Sequence, residues 1–475
     1  MTERPSGTLH NLGLILQMNG IALLAPVIIA LLYGESQALT ALVLSAFASF
    51  FVGFFFTNFS EEGEMQFESI CTLMIATFFF LATIGAIPYV YLGETIFGEI
   101  SFDKLFINGF FESMSGFSTA GLTTLVDVEI LPKSIIFFRG LSQWIGGVGI
   151  VYLMVLFLGS PSESTRVVGE LSGFGKIKSS FRGTFWRIIT IYSVYTVLFT
   201  ILLVFLGEID LFTSINLVFT GISTAGFLPV NDLGTIMTPV SMGIITIMMI
   251  FGATSFSVHN NLWGRELRKI LSFEYKFYII YIIIITSILG FIFSSFGKTL
   301  VDIPFHIISA ITTTGFQFIN IGDISTTLKS IIILIMFVGG SAFSTGGGLK
   351  IIRFIITLKA IPWAIRKISL PAKAITPLKL GDKALFEKDV LAAFLLMGLG
   401  VFSIFASSLI FTSYGYNFID SIFEITAAFS TAGLTTGITE IGLPEPLKVI
   451  LALEMVIGRV EIIPFLVFLK RIINR

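Results

Sequence analysis

About ten apolar stretches, each roughly the 20 residues a helix needs to cross a bilayer, leave this chain few ways to fold. They lie at 11–33, 39–59, 70–90, 134–158, 188–206, 235–251, 277–296, 330–361, 390–411 and 447–469. Of the 475 residues, 12% are charged and 55% hydrophobic, with Phe alone at 51. A soluble domain carries about 25% charged residues, so the polar surface is too small to face water. The chain reads as an integral membrane protein. It is helical, because barrel strands alternate over about ten residues. Stretch 11–33 lacks a clear small-residue cleavage site and reads as a first span, with no cleavable signal peptide.

The charges are distributed unevenly. Loop 159–187 carries Arg166, Lys176, Lys178, Arg182 and Arg187; loop 260–276 carries Arg265, Arg268, Lys269 and Lys276. Segment 350–388 holds nine Lys or Arg, and the tail ends with Lys470, Arg471 and Arg475. Segment 207–240 has no basic residue, and 413–448 has only Lys448. The positive-inside rule places the basic loops and the C-terminus in the cytoplasm of a multi-pass protein of the cell membrane. The acidic loop 58–67 departs from this alternation. Net charge of −1 gives no sign of a nucleic-acid partner, and the single Cys71 excludes an intramolecular disulfide.

Four outer segments are related. They read FDKLFINGFFESMSGFSTAGL (102–122), IDLFTSINLVFTGISTAGF (209–227), VDIPFHIISAITTTGF (301–316) and IDSIFEITAAFSTAGL (419–434). Each runs Asp, a short apolar segment, then a Thr/Gly loop, and each lies between two spanning stretches. The octapeptide FSTAGLTT occurs at 117–124 and again at 429–436. Such internal repetition defines the architecture: two helices at 1–67, then four units at 68–165, 166–272, 273–372 and 373–475. Asp103, Asp210, Asp302 and Asp420 sit where an N-cap belongs. The apolar segments after them are too short to span, so each reads as a re-entrant half-helix whose negative dipole end points inward. Irregular backbone at membrane depth is tolerated only when buried in protein or lining a water-filled cavity. A dehydrated cation satisfies its carbonyls, as in four-loop potassium filters. The predicted filter set is Thr119, Ala120, Gly121; Thr224, Ala225, Gly226; Thr313, Thr314, Gly315; and Thr431, Ala432, Gly433. The third unit departs from the others at Thr314.

With these motifs the chain resembles the membrane subunit of the Trk/Ktr/HKT superfamily of potassium transporters, on the Trk branch. The passages QWIGGVGIV (143–151), FSVHNNLWGRE (256–266) and EMVIGRVEI (454–462) add to the likeness. The resemblance covers essentially the whole chain. It implies an all-α membrane fold of about ten transmembrane helices plus four re-entrant pore helices, arranged pseudo-fourfold around one pore. It implies potassium permeation, and a glycine at all four filter positions matches the potassium-permeable pattern; sodium-favouring plant relatives carry serine at the first.

The stretch GGSAFSTGGGLK, 339–350, interrupts the return span of the third unit. Glycines in mid-helix break it. A Walker phosphate loop is excluded, because Gly348 is followed by Leu349 and Lys350 rather than Lys and Ser or Thr. The resemblance implies an intramembrane gate at 339–348: Gly339, Gly340, Ser344, Thr345, Gly346, Gly347 and Gly348, with Lys350 beside it. Arg459, a charge inside the last span, is a functional candidate by default. The resemblance assigns it to the gate loop; an ion pair with Glu454 or Glu461 is the alternative. His259 and His306 read as satisfied polar residues at helix ends. No catalytic constellation and no nucleotide-binding motif is present, so the chain reads as a non-enzyme that binds potassium and no nucleotide of its own. The resemblance further implies a homodimer and a separate cytosolic nucleotide-binding subunit ring. Ion-coupled symport with sodium or protons is the alternative to channel-like permeation.

Overall fold

A computed structural model of the chain describes residues 6–63, 65–98, 100–158, 181–266, 272–294, 302–369, 371, 376–381 and 383–473. Arg166, Lys176, Lys178, Arg268, Lys269, Lys373 and Arg475 lie outside the described residues. Among those described, seven helices are long and apolar enough to cross a membrane: Gly7–Tyr33, Ser36–Asn58, Phe67–Tyr91, Lys133–Val151, Gly183–Phe205, Phe273–Ile292 and Glu387–Ser413. The other three predicted stretches are broken helices. Pro239–Gly252 turns through 104° into Phe256–Trp263. Thr326–Phe337 and Ile351–Ile368 are separated by irregular chain. Glu445–Val460 and Ile462–Ile473 part at Glu461, whose φ is +66°. Large apolar side chains point outward, with Phe291, Phe402 and Leu334 between 69% and 80% exposed. An apolar exterior of this extent suits lipid rather than water.

The four half-helices are Phe102–Phe117, Leu211–Ile222, Asp302–Ile311 and Phe418–Phe429. At 1.5 Å per residue, even the longest falls short of the hydrocarbon thickness of about 30 Å. Each packs between the two helices that flank it in its own unit. Each also meets the return helix of the unit before it. Lys133–Leu158 packs on Leu211–Ile222, Pro239–Gly252 on Asp302–Ile311, and Thr326–Phe337 on Phe418–Phe429. Glu445–Val460 packs on Phe102–Phe117 and closes the ring. Two lysines tie these junctions. Lys329 Nζ donates to Asp420 Oδ1 at 2.7 Å, and Lys448 Nζ donates to Asn108 Oδ1 at 2.7 Å. The first two spans lie outside the ring, Ser6–Ala22 packing on Ser36–Asn58 and Phe67–Gly85. Glu35 between them accepts from Lys133 N and Ser134 N at 2.6 and 3.0 Å, capping the first return helix from a distance.

The four predicted Asp caps do not all hold. Asp210 is an N-cap and accepts from Thr213 N at 3.0 Å. The first half-helix is instead entered from Ser101, with Asp103 inside its first turn. The fourth is capped by Asn417, whose Oδ1 accepts from Ile419 N at 2.9 Å, and Asp420 again lies in the first turn. Asp302 is the first described residue of its helix. The spacing explains the difference: 103 to 121 in the first unit exceeds 420 to 433 in the fourth, so the aspartates do not occupy one structural position. Those inside the first turn still favour the helix dipole.

Glycine lets three of the return helices abut the ends of their own half-helices. A Cβ on Gly146 would lie 2.1 Å from Phe117 O, on Gly252 2.6 Å from Ile222 O, and on Gly458 1.6 Å from Phe429 O. Gly458→Ala must therefore push the fourth half-helix aside, at about 1–3 kcal/mol for overpacking. Its melting temperature in detergent should fall by several degrees. Gly398→Ala, with nothing within 4 Å of the new Cβ, should leave it unchanged or raise it; equal behaviour of the two variants would refute the close approach.

Candidate functional site

Each half-helix ends in the same hydrogen-bonded turn. In the first unit Thr119 N donates to Gly116 O at 3.0 Å and Ala120 N to Ser115 O at 2.9 Å. The equivalent pairs recur from Thr224 and Ala225, Thr313 and Thr314, and Thr431 and Ala432, at 2.8–3.2 Å. This is the Schellman arrangement, whose left-handed position usually belongs to glycine. Here it is threonine: φ is +58° at Thr119, +50° at Thr224, +55° at Thr313 and +49° at Thr431. A β-branched residue in that region is a genuine outlier, and four in equivalent places mark a shared constraint. Two residues on, Gly121, Gly226, Gly315 and Gly433 are left-handed again, with φ from +71° to +85°.

The four loops form one closed ring. A Cβ on Gly121 would meet Ala225 O at 2.1 Å, on Gly226 Thr314 O at 2.4 Å, on Gly315 Ala432 O at 2.0 Å, and on Gly433 Ala120 O at 2.6 Å. Each glycine thus lies against the next loop's carbonyl, in the order of the sequence. All twelve predicted filter residues are brought together there. The departure at Thr314 is absorbed locally: its Oγ1 is 2.8 Å from Oγ1 of Thr312, which stands where the other loops carry serine.

Side chains behind the ring hold the loops. Gln143 of the first return helix donates Nε2–H to Ala225 O at 2.8 Å and accepts from Phe227 N at 3.1 Å. Arg139 is buried with Glu112, Nη2 to Oε2 at 3.3 Å, and its guanidinium lies 4.2 Å from the Phe227 ring centroid. Further out, Asn231 Oδ1 accepts from Val128 N at 2.7 Å and its Nδ2 donates to Asp127 at 2.7 Å. That bond holds the half-buried Asp127 carboxyl below its ordinary pKa.

The irregular segment 338–350 is buried and runs against this ring. Thr345 Oγ1 accepts from Thr224 Oγ1 at 3.2 Å and lies 3.0 and 2.8 Å from the carbonyls of Ile222 and Gly252. Gly347 N donates to Thr313 Oγ1 at 2.9 Å, and Gly347 also abuts Ser430 and Thr431. Gly339 N donates to Leu349 O at 2.9 Å, drawing the ends of the segment together. Ser344 Oγ accepts from Gly346 N at 3.2 Å, Gly340 approaches Ala253, and Gly348 is left-handed at +69°. Lys350 Nζ donates to Gly346 O, and Glu274 accepts from Ala342 N at 2.6 Å. Arg459 Nη1 donates to Thr345 O at 2.6 Å. The alternative ion pairs do not form: Glu454 accepts from Ser403 and Ser407, both at 2.7 Å, and Glu461 pairs with Arg353. Four buried donors, Oγ1 of Thr119 and Thr431 and Nε and Nη2 of Arg459, have no hydrogen-bond partner among the described residues.

Residues 94–283 and 292–474 match the family model of TrkH, cation transport protein. An uncharacterized cation transporter of Methanocaldococcus jannaschii is 36% identical across 97% of this chain and 94% of its own. The chain belongs to the TrkH cation transport family. The Trk system potassium uptake protein TrkH of Escherichia coli is 29% identical, with 96% of each chain covered. The crystal structure of the potassium transporter TrkH from Vibrio parahaemolyticus superposes with a TM-score of 0.86 over 98% of this chain and 99% of that one, at 22% identity, a likeness of fold. TrkH-family proteins are transporters, not enzymes.

The residues behind the ring of loops were not among those predicted from the sequence. Glu112, Arg139 and Gln143 are polar residues in apolar helices, and that contrast was the available signal. His259 is satisfied as expected, its ring nitrogens 3.2 Å from Tyr195 Oη and 3.0 Å from Phe251 O. Gln143→Leu strands a donor and an acceptor of the second loop, worth about 1–3 kcal/mol each. Its melting temperature should drop by several degrees; an unaltered melt would show that the second loop does not need this clamp.

Proposed function

We propose that the chain takes up potassium across the cell membrane through the ring of four Thr/Gly loops, gated by segment 338–350. The observation that carries this reading is the ring itself. Four buried loops, each with left-handed Thr and Gly two residues apart, meet head to tail at the inner ends of four half-helices. Left-handed residues alternating with others turn successive carbonyls to one side, which an extended strand cannot do. The half-helix dipoles direct negative ends to the same place. The cation held there is desolvated potassium, its ligands the main-chain carbonyls of Thr119, Ala120 and Gly121 and their counterparts. The unpartnered hydroxyls of Thr119 and Thr431 fit a hydrated path reaching the filter. The named activity of the Escherichia coli relative supports the choice of ion.

The gate reading rests on the contacts of segment 338–350. It engages the filter threonines of the second and third loops and is tethered to the fourth unit by Arg459. While the segment is in place, two basic side chains, Arg459 and Lys350, lie by the path and oppose a cation. Withdrawal of the segment removes both the plug and part of that opposition. A homodimer, a cytosolic nucleotide-binding subunit ring on the basic inner loops, and a cytoplasmic C-terminus complete the proposal.

Two measurements test it in liposomes, with potassium, rubidium and sodium fluxes compared. Gly121→Ser places a side chain on a left-handed residue facing Ala225 O and should weaken discrimination between potassium and sodium; an unchanged ratio would remove the first loop from the filter. Arg459→Ala should raise basal potassium flux. Flux no higher than the parent's, in protein shown to be folded, would sink the gate.

A further inference from the structure

The potassium reading leaves unexplained why two of the four loops continue identically past their glycine, as LTT. The continuation has a partner inside the half-helix. Thr124 N donates to Glu112 Oε1 at 2.6 Å, and Thr436 N donates to Glu424 Oε1 at 2.8 Å. The hydroxyls join in. Thr123 Oγ1 and Thr124 Oγ1 bond Glu112 at 2.9 and 3.0 Å, while Thr436 and Thr439 bond Glu424 at 3.1 and 2.9 Å. Both carboxylates are fully buried.

The third unit makes the same bond with another side chain. Phe318 N donates to His306 Nε2 at 3.2 Å, while Nδ1 lies 2.7 Å from Asp302 O. Glu112, His306 and Glu424 are equivalent: each precedes its filter glycine by nine residues, and each receives the N–H of the third residue after that glycine. In the second unit the two positions are Leu217 and Pro229. Leucine cannot accept, and proline has no N–H to give. The acceptor and the donor are missing together. That loop is gripped instead by Gln143 of the neighbouring unit, through Ala225 O and Phe227 N.

We infer that Glu112, His306 and Glu424 are positioning residues for ion selectivity: each accepts the N–H that fixes how its filter loop leaves the left-handed glycine. This inference rests on the potassium reading. Only two residues separate Gly121, Gly315 and Gly433 from the held Thr124, Phe318 and Thr436, so releasing that N–H frees the outer end of the filter to widen. A wider filter loses its preference for potassium before it loses conduction. The requirement is for a hydrogen-bond acceptor rather than a charge, because a histidine serves in the third unit.

Permeability ratios in liposomes test this at Glu424. Glu424→Leu should lower the potassium-to-sodium ratio on the order of tenfold, while Glu424→Gln, which keeps a side-chain carbonyl, should stay within about twofold of the parent. His306→Leu and His306→Gln should divide the same way. Glu424→Leu combined with Thr436→Pro recreates the second unit's pair and should melt higher than Glu424→Leu alone, a comparison that stands even if the single variant folds poorly. A parent that discriminates, together with Leu variants that discriminate equally well, would overturn the inference and leave the filter standing. A Gln variant as impaired as Leu, or a double variant no more stable than the single, would also overturn it. A parent with no preference for potassium would sink the filter reading itself.

Discussion

Every irregular peptide group in the interior of this protein needs a partner that lipid does not supply, and the four half-helix ends are where that demand is sharpest. The chain meets it with a Schellman turn in which threonine takes the glycine place. A left-handed threonine costs about 1–3 kcal/mol. It is kept because the turn closes two helix carbonyls while bringing a hydroxyl to the inner side. Two of those hydroxyls bond segment 338–350. Glycine at this place would relieve the strain and remove the hydroxyl. The ring contacts, the return-helix glycines and the clamps behind the loops all follow from packing four such ends together.

The return helix of the third unit departs furthest from the fourfold pattern. Three return helices set a glycine against the end of their own half-helix; in the third unit, the chain leaves the helix after Phe337 and resumes only at Ile351. The excursion takes partners from the second unit at Thr224 and Gly252, from its own at Thr313 and Glu274, and from the fourth at Arg459. A segment held by bonds from three units senses small changes in how those units sit. The bonds are about 0.5–1.5 kcal/mol net for the neutral pairs and about 1.5–3 kcal/mol for those of Glu274 and Arg459, so moving the segment does not require unfolding a helix.

The repeats, the loop glycines, the broken third return span and the contact of Arg459 with it were legible because each violates a strong rule for apolar helices. The caps were not. Asp103 and Asp420 look like Asp210 in the sequence, yet capping depends on which residue lies just outside the first turn, and the units differ in length before the filter. Gln143, Glu112 and Glu424 were missed because a lone polar residue in a span does not say what it bonds. Aligning the repeats on their glycines would have exposed the acceptor column, since Leu217 and Pro229 change together. Thr314 looked like a defect in the ring, but its hydroxyl bonds the equally unusual Thr312.

Arg459 shows how a costly charge is put to use. Its guanidinium offers five donors, and one nitrogen is engaged with Thr345 O while Nε and Nη2 find no partner among the described residues. Burying a guanidinium with two nitrogens unengaged is costly, which fits a side chain kept for the proposed function rather than for stability. In that proposal the same side chain holds segment 338–350 against the ring of loops and lets cations pass when the segment withdraws.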